Sequence, residues 1–363
     1  MSTDWTRVDA VMNAATGDGT TPGAVALVGR GREVVFERAY GLLEAGGQAV
    51  TIETVYDLAS LTKPLVTTAC LLLLVADGTC TLDDPAATWL PELAAGPDAS
   101  VRERISLADL LGHRSGLPAW RPYFEATDPA SPCADTILAA AVAEPLKCPP
   151  GINAVYSDIG FMLLGRVVEL AAGQSLGELA RARLLEPLDA GQATFVDVAA
   201  GQSLGPEGVA PCGHSTWRRQ TVRGTSSDDN AYAMGGTAGH AGLFASVREV
   251  HQLVAEQVDA FGGKGAVLDT ELVQRCWTER SVVGSTWHFG WDGPSLPGST
   301  AGGRVAEDAI GHLGWSGTSV WIDPVRGAHV VLLSNRVHPG QDNRRIDLLR
   351  PAFHDAVFET LDG

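Results

Sequence analysis

Ser60-Leu-Thr-Lys63 is the sharpest chemical feature of the chain, because S-x-x-K on a helix puts the lysine one turn after the serine and on the same face. A weak alcohol then has an amine beside it. With Ser60 at the helix start, its hydroxyl and backbone N–H sit at the positive end of the dipole, where an alkoxide or acyl oxyanion is stabilised. The chain has only three lysines, Lys63, Lys147 and Lys264, and an ordinary capped helix can show the same spacing. Tyr156-Ser-Asp158 follows the Pro149-Pro150-Gly151 turn and opens a helix, where a phenol can project into a cleft. A tyrosine beside a lysine ammonium is expected to have its pKa lowered toward that of a base. His312-Leu-Gly-Trp315 is expected at the start or edge of a terminal strand, with Gly314 letting a substrate lie against the backbone.

The elements that must position these groups are legible as patterns. Residues 23–29 and 33–41 are β-rich runs separated by Arg30-Gly31-Arg32, and residues 318–323 and 328–334 form a second such pair around Pro324-Val-Arg-Gly327. Between them, apolar spacing of 3 and 4 predicts helices over 60–77, 106–112, 134–143, 158–172 and 246–261, with a final helix over 345–361. Ser60 or a neighbour is expected to cap the first, with Gly78 ending it. Ser157 or Asp158 caps the helix that ends at Gly173. Residues 197–242, rich in Gly, Ser, Thr and Asp, read as a loop-dominated wall.

This pattern describes an α/β chain of the α+β type, an antiparallel sheet built from both termini, flanked by helices and carrying a large, mostly helical insertion. The whole chain, 1–363, is expected to form one unit, with an α/β part over about 1–60 and 270–363 and a helical part over about 61–269. The balance of 26 Lys plus Arg against 43 Asp plus Glu gives a formal net charge of −17, which repels phosphodiester backbones and anionic lipid heads. Neither nucleic acid nor a membrane is an expected partner. The apolar run at 69–76 is shorter than the roughly 20 residues of a span. Residues 1–15 show no export or lipidation pattern, so a cytoplasmic location is expected, or an exported one if a leader was trimmed. The six cysteines lack C-x-x-C pairs and read as reduced thiols. His113, His214 and His240 lie in separate motifs without metal-ligand spacing, and no nucleotide-binding glycine pattern occurs, so neither metal nor cofactor is expected. Asp228-Asp-Asn230 reads as an acidic loop, either a solvated turn or one that faces the cleft, and Trp287, Phe289 and Trp291 read as core.

In order and spacing the three motifs resemble the serine β-lactamase and penicillin-binding protein superfamily, in particular its class C, DD-peptidase and esterase branch. The resemblance rests also on Asp57-Leu-Ala-Ser60-Leu-Thr-Lys63, on residues 109–118, on Tyr156-Ser-Asp-Ile-Gly-Phe-Met-Leu-Leu-Gly165, on Ala238-Gly-His-Ala-Gly-Leu243 and on residues 311–324. It implies a β-lactamase/DD-peptidase fold and acyl transfer through an acyl-enzyme. By resemblance, Ser60 is the acylated nucleophile, and Lys63 takes its proton or fixes its orientation. Tyr156 is then the general base that also serves deacylation, and the backbone N–H groups of Ser60 and Trp315 form the oxyanion hole. His312 and Gly314 line the opposite wall.

Two departures bear on the substrate. Asp158 stands where the family usually has Asn, and an ionised carboxylate only accepts hydrogen bonds or pairs with Lys63. His-Leu-Gly replaces Lys-Thr-Gly, removing the cation and hydroxyl that grip a substrate carboxylate. An esterase-type member acting on a small ester or amide is the resulting expectation, with Trp120, Tyr123 and Phe124 as an apolar pocket and Asp158 as a further substrate contact. A D-alanyl carboxypeptidase, a β-lactamase, an acyltransferase or a non-catalytic binding module are the alternatives. Oligomeric state is not encoded in any motif.

Overall fold

The computed structural model describes residues 3–95 and 98–363. Strands β1 (Gly23–Arg30) and β2 (Glu33–Gly41) form the first hairpin, with Gly23 opposite Gly41 and Arg30 opposite Glu33. At the other end of the chain, β3 (Ile310–Leu313), β4 (Ser319–Asp323) and β5 (Ala328–Ser334) complete an antiparallel sheet in the order β2-β1-β5-β4-β3. The termini meet where β1 pairs with β5, Ala24 opposite Ser334. β3 is therefore an edge strand, and its end carries His312 and the turn that follows.

Period-2 alternation sends the sheet's side chains into two cores. Ala24, Ala26, Val28, Trp321, Val330 and Leu332 pack with residues of α1 (Thr6–Gly17) and the C-terminal helix Ile346–Asp362. Val25, Leu27, Val320, Val331 and Leu333 face the larger core shared with the helices of the insertion. Both faces being covered explains why β1 and β5 are nearly continuous apolar runs. Helix Val247–Phe261, although inside the stretch expected to be a separate helical part, packs on β1 and β5. The sheet side of the molecule thus recruits a helix from the insertion.

The segment bearing Ser60 departs from the expected simple capped helix. It opens with a 3₁₀ turn at Ala59–Leu61, continues as a π-turn at Lys63–Thr68 and becomes the α-helix α2 only at Ala69–Ala76. Ser60 caps nothing; Asp57 Oδ1 instead accepts the Ala59 N–H at 2.8 Å. By length and composition Ala59–Ala76 is apolar enough to cross a membrane, yet 83% of it is buried in the protein's own core. The helix α3 (Leu107–Leu111) is capped by Ser106, and α4 (Ala134–Ala143) packs on α5 (Asp158–Ala172). Ser157 Oγ caps α5 by accepting the Gly160 N–H at 3.0 Å. Gly165 on α5 meets Gly239 so closely that a Cβ on Gly165 would lie 2.7 Å from the Gly239 Cα. This contact seats the 238–243 loop beside the start of the Ser60 helix.

Candidate active site

The three motifs converge. Lys63 Nζ lies 2.9 Å from Ser60 Oγ, and Tyr156 Oη donates to the same oxygen at 2.7 Å. Lys63 is fully buried, and its ammonium also donates to the His240 carbonyl at 2.8 Å and pairs with Asp158 Oδ1 at 2.6 Å. Burial pushes the Lys63 pKa down, and the Asp158 carboxylate opposes it. Ser60 follows Ala59, whose φ of +49° is a strained conformation for a residue with a Cβ. The Asp57 carboxylate maintains that kink, accepting Ala59 N–H and, at 2.6 Å, Ser227 N–H.

Tyr156 corrects one expectation. Burial and then the Asp158 carboxylate push its pKa well above the ordinary value, the reverse of the lowering foreseen from a neighbouring lysine. The physical reason is placement: Lys63 Nζ lies over the ring face, 4.9 Å from its centroid, and its charge is shared with Asp158. Tyr156 at rest is a phenol that donates.

His312 is buried, and its Nδ1–H donates to the Leu313 carbonyl at 2.9 Å, which leaves a lone pair on Nε2. Burial and then Lys63 push its pKa down to about 3, so the imidazole is neutral. Gly314 lines the cavity, and close packing also requires it to lack a side chain. A Cβ there would lie 1.9 Å from Thr318 Oγ1 and 2.6 Å from the Leu58 carbonyl, so glycine lets the β3 turn close on the Ser60 segment. The Trp315 side chain is exposed, and neither its backbone N–H nor that of Ser60 has a partner among the described residues.

A cavity of about 1090 Å³ opens onto Ser60, Tyr156, Asp158 and His312 and runs past Trp315 to Arg350. Trp120 and Phe124 line it; Tyr123 does not. Tyr123 turns away because its hydroxyl donates to Glu144 at 2.9 Å and its ring packs against the main core, so it is not part of the pocket.

Sequence reasoning missed several neighbours. Trp287, read as core with Phe289 and Trp291, stacks on the Tyr156 ring at 5.1 Å and lines the cavity; only the other two are fully buried. His113 accepts the Ser157 N–H on Nδ1 at 3.1 Å and lies 4.9 Å from Tyr156, ring to ring. Asp228, for which the sequence left a solvated turn and a cleft-facing loop both open, lines the cavity and caps helix Asp229–Ala233. Burial raises its carboxyl, but His240 at 3.0 Å, the Ala231 N–H and Lys63 outweigh that and hold it at about 2. No periodicity distinguishes these residues from core or turn. Among the described residues no group of three or more His, Cys, Asp or Glu is placed to hold a metal.

The beta-lactamase family pattern matches residues 8–352. The chain belongs to that family. An Escherichia coli K12 relative named "Putative D-alanyl-D-alanine carboxypeptidase" is 30% identical over 87% of this chain and 79% of its own. Among solved structures, this family member is similar to EstCE1, described as a hydrolase with promiscuous acyltransferase activity, with a TM-score of 0.73, 21% identity and coverage of 97% and 98% of the two chains. It is also similar to the octameric penicillin-binding protein homologue from Pyrococcus abyssi, with a TM-score of 0.72, 20% identity and coverage of 92% and 73%. The fold is the β-lactamase/penicillin-binding protein fold, and its members are serine hydrolases.

Proposed function

We propose that this serine hydrolase is an esterase-type member that cleaves a small, uncharged ester or amide through an acyl-enzyme on Ser60. The observation that carries the reading is the double contact on Ser60 Oγ, an amine at 2.9 Å and a phenol at 2.7 Å. Ser60 Oγ loses its proton to Lys63 in its amine form, favoured by burial, and bonds to the carbonyl carbon. The tetrahedral oxyanion is received by the Ser60 and Trp315 N–H groups. On collapse the leaving group takes the Tyr156 proton. Water then attacks the acyl carbon and returns a proton to Tyr156, while Ser60 departs with the proton held on Lys63. The uncharged substrate class follows from the third motif: a neutral His312 offers an acceptor where a lysine would offer a cation.

A peptidase reading has its own support, in the printed name of the E. coli relative and in the arginines 336, 344 and 350 that line the far arm of the cavity. Intact-mass spectrometry and turnover with short p-nitrophenyl esters, a peptidyl-D-alanyl-D-alanine and a cephalosporin separate the readings. The esterase reading expects one adduct on Ser60 and preferential ester cleavage. Preferential release of D-alanine or rapid cephalosporin opening would replace it.

A further inference from the structure

We infer that Arg350 is a positioning residue for the oxyanion site, holding the Gly314–Trp315 peptide so that its N–H faces the acyl oxygen; the inference rests on the hydrolase reading above. Arg350 lies on the C-terminal helix and is 6% exposed. Its Nη2 donates to the Gly314 carbonyl at 2.8 Å and to the Thr318 carbonyl at 2.7 Å. Thr318 O also accepts the Gly314 N–H at 2.8 Å, and Gly314 O the Gly317 N–H at 3.1 Å, so one guanidinium pins both ends of a closed turn. The Gly314 C=O and the Trp315 N–H belong to one planar peptide, so fixing the oxygen fixes the direction of the N–H. Donation to the carbonyl also polarises the peptide and strengthens its N–H as a donor.

The next peptide is clamped in the same way. Arg336 Nη2 donates to the Trp315 carbonyl at 2.9 Å, and Arg336 is itself held by the Gln341 and Asn343 carbonyls at 3.0 Å.

The charge of Arg350 needs a reason. Burying a guanidinium without a carboxylate partner is costly, and Asp347, one turn before it, pairs with Arg344 at 2.7 Å instead. Burial and then Arg336 push its pKa down only to about 10, so Arg350 is a cation at neutral pH. A neutral amide would hold two carbonyls at lower cost. A cation behind the oxyanion peptide is matched to negative charge that develops on the acyl oxygen during reaction.

The test compares p-nitrophenyl acetate with p-nitrophenyl thionoacetate, whose sulfur accepts hydrogen bonds weakly, in wild type, Arg350→Gln and Arg350→Lys. With Arg350→Gln we expect kcat for the oxygen ester to fall about 10²-fold with KM within about threefold, and the oxygen-to-sulfur rate ratio to fall by nearly the same factor. Arg350→Lys should recover about tenfold of the loss, because it keeps the charge and loses the planar fork. If Arg350→Gln does not fold, Arg350→Lys carries the test through its own ratio. Arg326→Gln, which breaks the Asp323 and Asp362 pairs on the same helix–sheet junction, should lower Tm and leave the ratio alone. A ratio unchanged in the Arg350 variants overturns the inference even if kcat or Tm drops. A wild type that neither acquires a Ser60 adduct nor cleaves either ester instead overturns the hydrolase reading beneath it.

Discussion

The Ala59–Ser60 peptide and the Gly314–Trp315 peptide both line the cavity, but they are held from very different distances along the chain. The Ala59 carbonyl accepts Thr62 Oγ1 at 2.7 Å, three residues away, and the turn is closed by the backbone of the same segment. The Gly314 carbonyl is held by Arg350, 36 residues further on and on a different layer of the fold. The Ala59 carbonyl is held by a neutral hydroxyl of its own segment, although that hydroxyl also accepts the Leu243 N–H and the neighbouring Asp57 carboxylate reaches Ser227; the Gly314 carbonyl is held by a charge that depends on the packing of the terminal helix against the sheet. The 3₁₀ turn at Ala59–Leu61 takes its carbonyl partner from its own segment, whereas the turn joining β3 to β4, although closed by the Gly314 and Gly317 N–H groups, takes a further anchor from outside.

The two sides can be broken separately. The largest effect is expected from Ser60→Ala, which should remove the covalent adduct in intact-mass spectra and lower ester kcat by about 10⁴-fold or more. Next comes the loss at Arg350 described above. Thr62→Val tests the local clamp: it removes the hydroxyl from the Ala59 carbonyl while keeping the shape, and ester kcat should fall about tenfold, less than for Arg350→Gln. Stopped-flow acylation of the three variants measures the order, and a Thr62→Val defect larger than that of Arg350→Gln would invert the comparison.

A smaller effect concerns the protons on the Ser60 side. Asp158 raises the pKa values of both Lys63 and Tyr156, so Asp158→Asn should let both fall. The amine form of Lys63 then persists to lower pH and the phenol form of Tyr156 is lost at lower pH. The whole kcat/KM profile should therefore move to more acidic pH, with less than about a tenfold change at its maximum. A profile that stays in place, measured with a neutral ester, would show that these two groups do not govern the reaction's ionisations.

The patterns that read through best were those set by short-range geometry. The Ser157 cap on α5, Gly173 after that helix and both hairpins depend on residues within a few positions of one another, so composition and period suffice. Tyr156 shows where such reading stops. A tyrosine expected beside a lysine charge was correctly placed near it, but its proton affinity depends on where the nitrogen lies relative to the ring and on Asp158, which spacing does not encode. Tyr123 and Trp287 exchanged roles for a similar reason. Tyr123 opens a single 3₁₀ turn and Trp287 forms an isolated bridge with Asp292, elements too short for a period to assign a face, and Glu144 and the Tyr156 ring decided which of them reached the cavity.

What the sequence by itself determined is the set of reactive groups: Ser60 one turn before Lys63, Tyr156 ahead of a capped helix, and His312 beside a terminal strand, each specified by neighbours within a turn or two. What only the tertiary structure decided is their electrostatics and their aim. Burial, the ion pair across Lys63 and Asp158, and the reach of Arg350 from the last helix to the β3 turn all arise between segments distant in the chain. Desolvation and charge act through space, so their outcome exists only once the helices and the sheet have closed around the site.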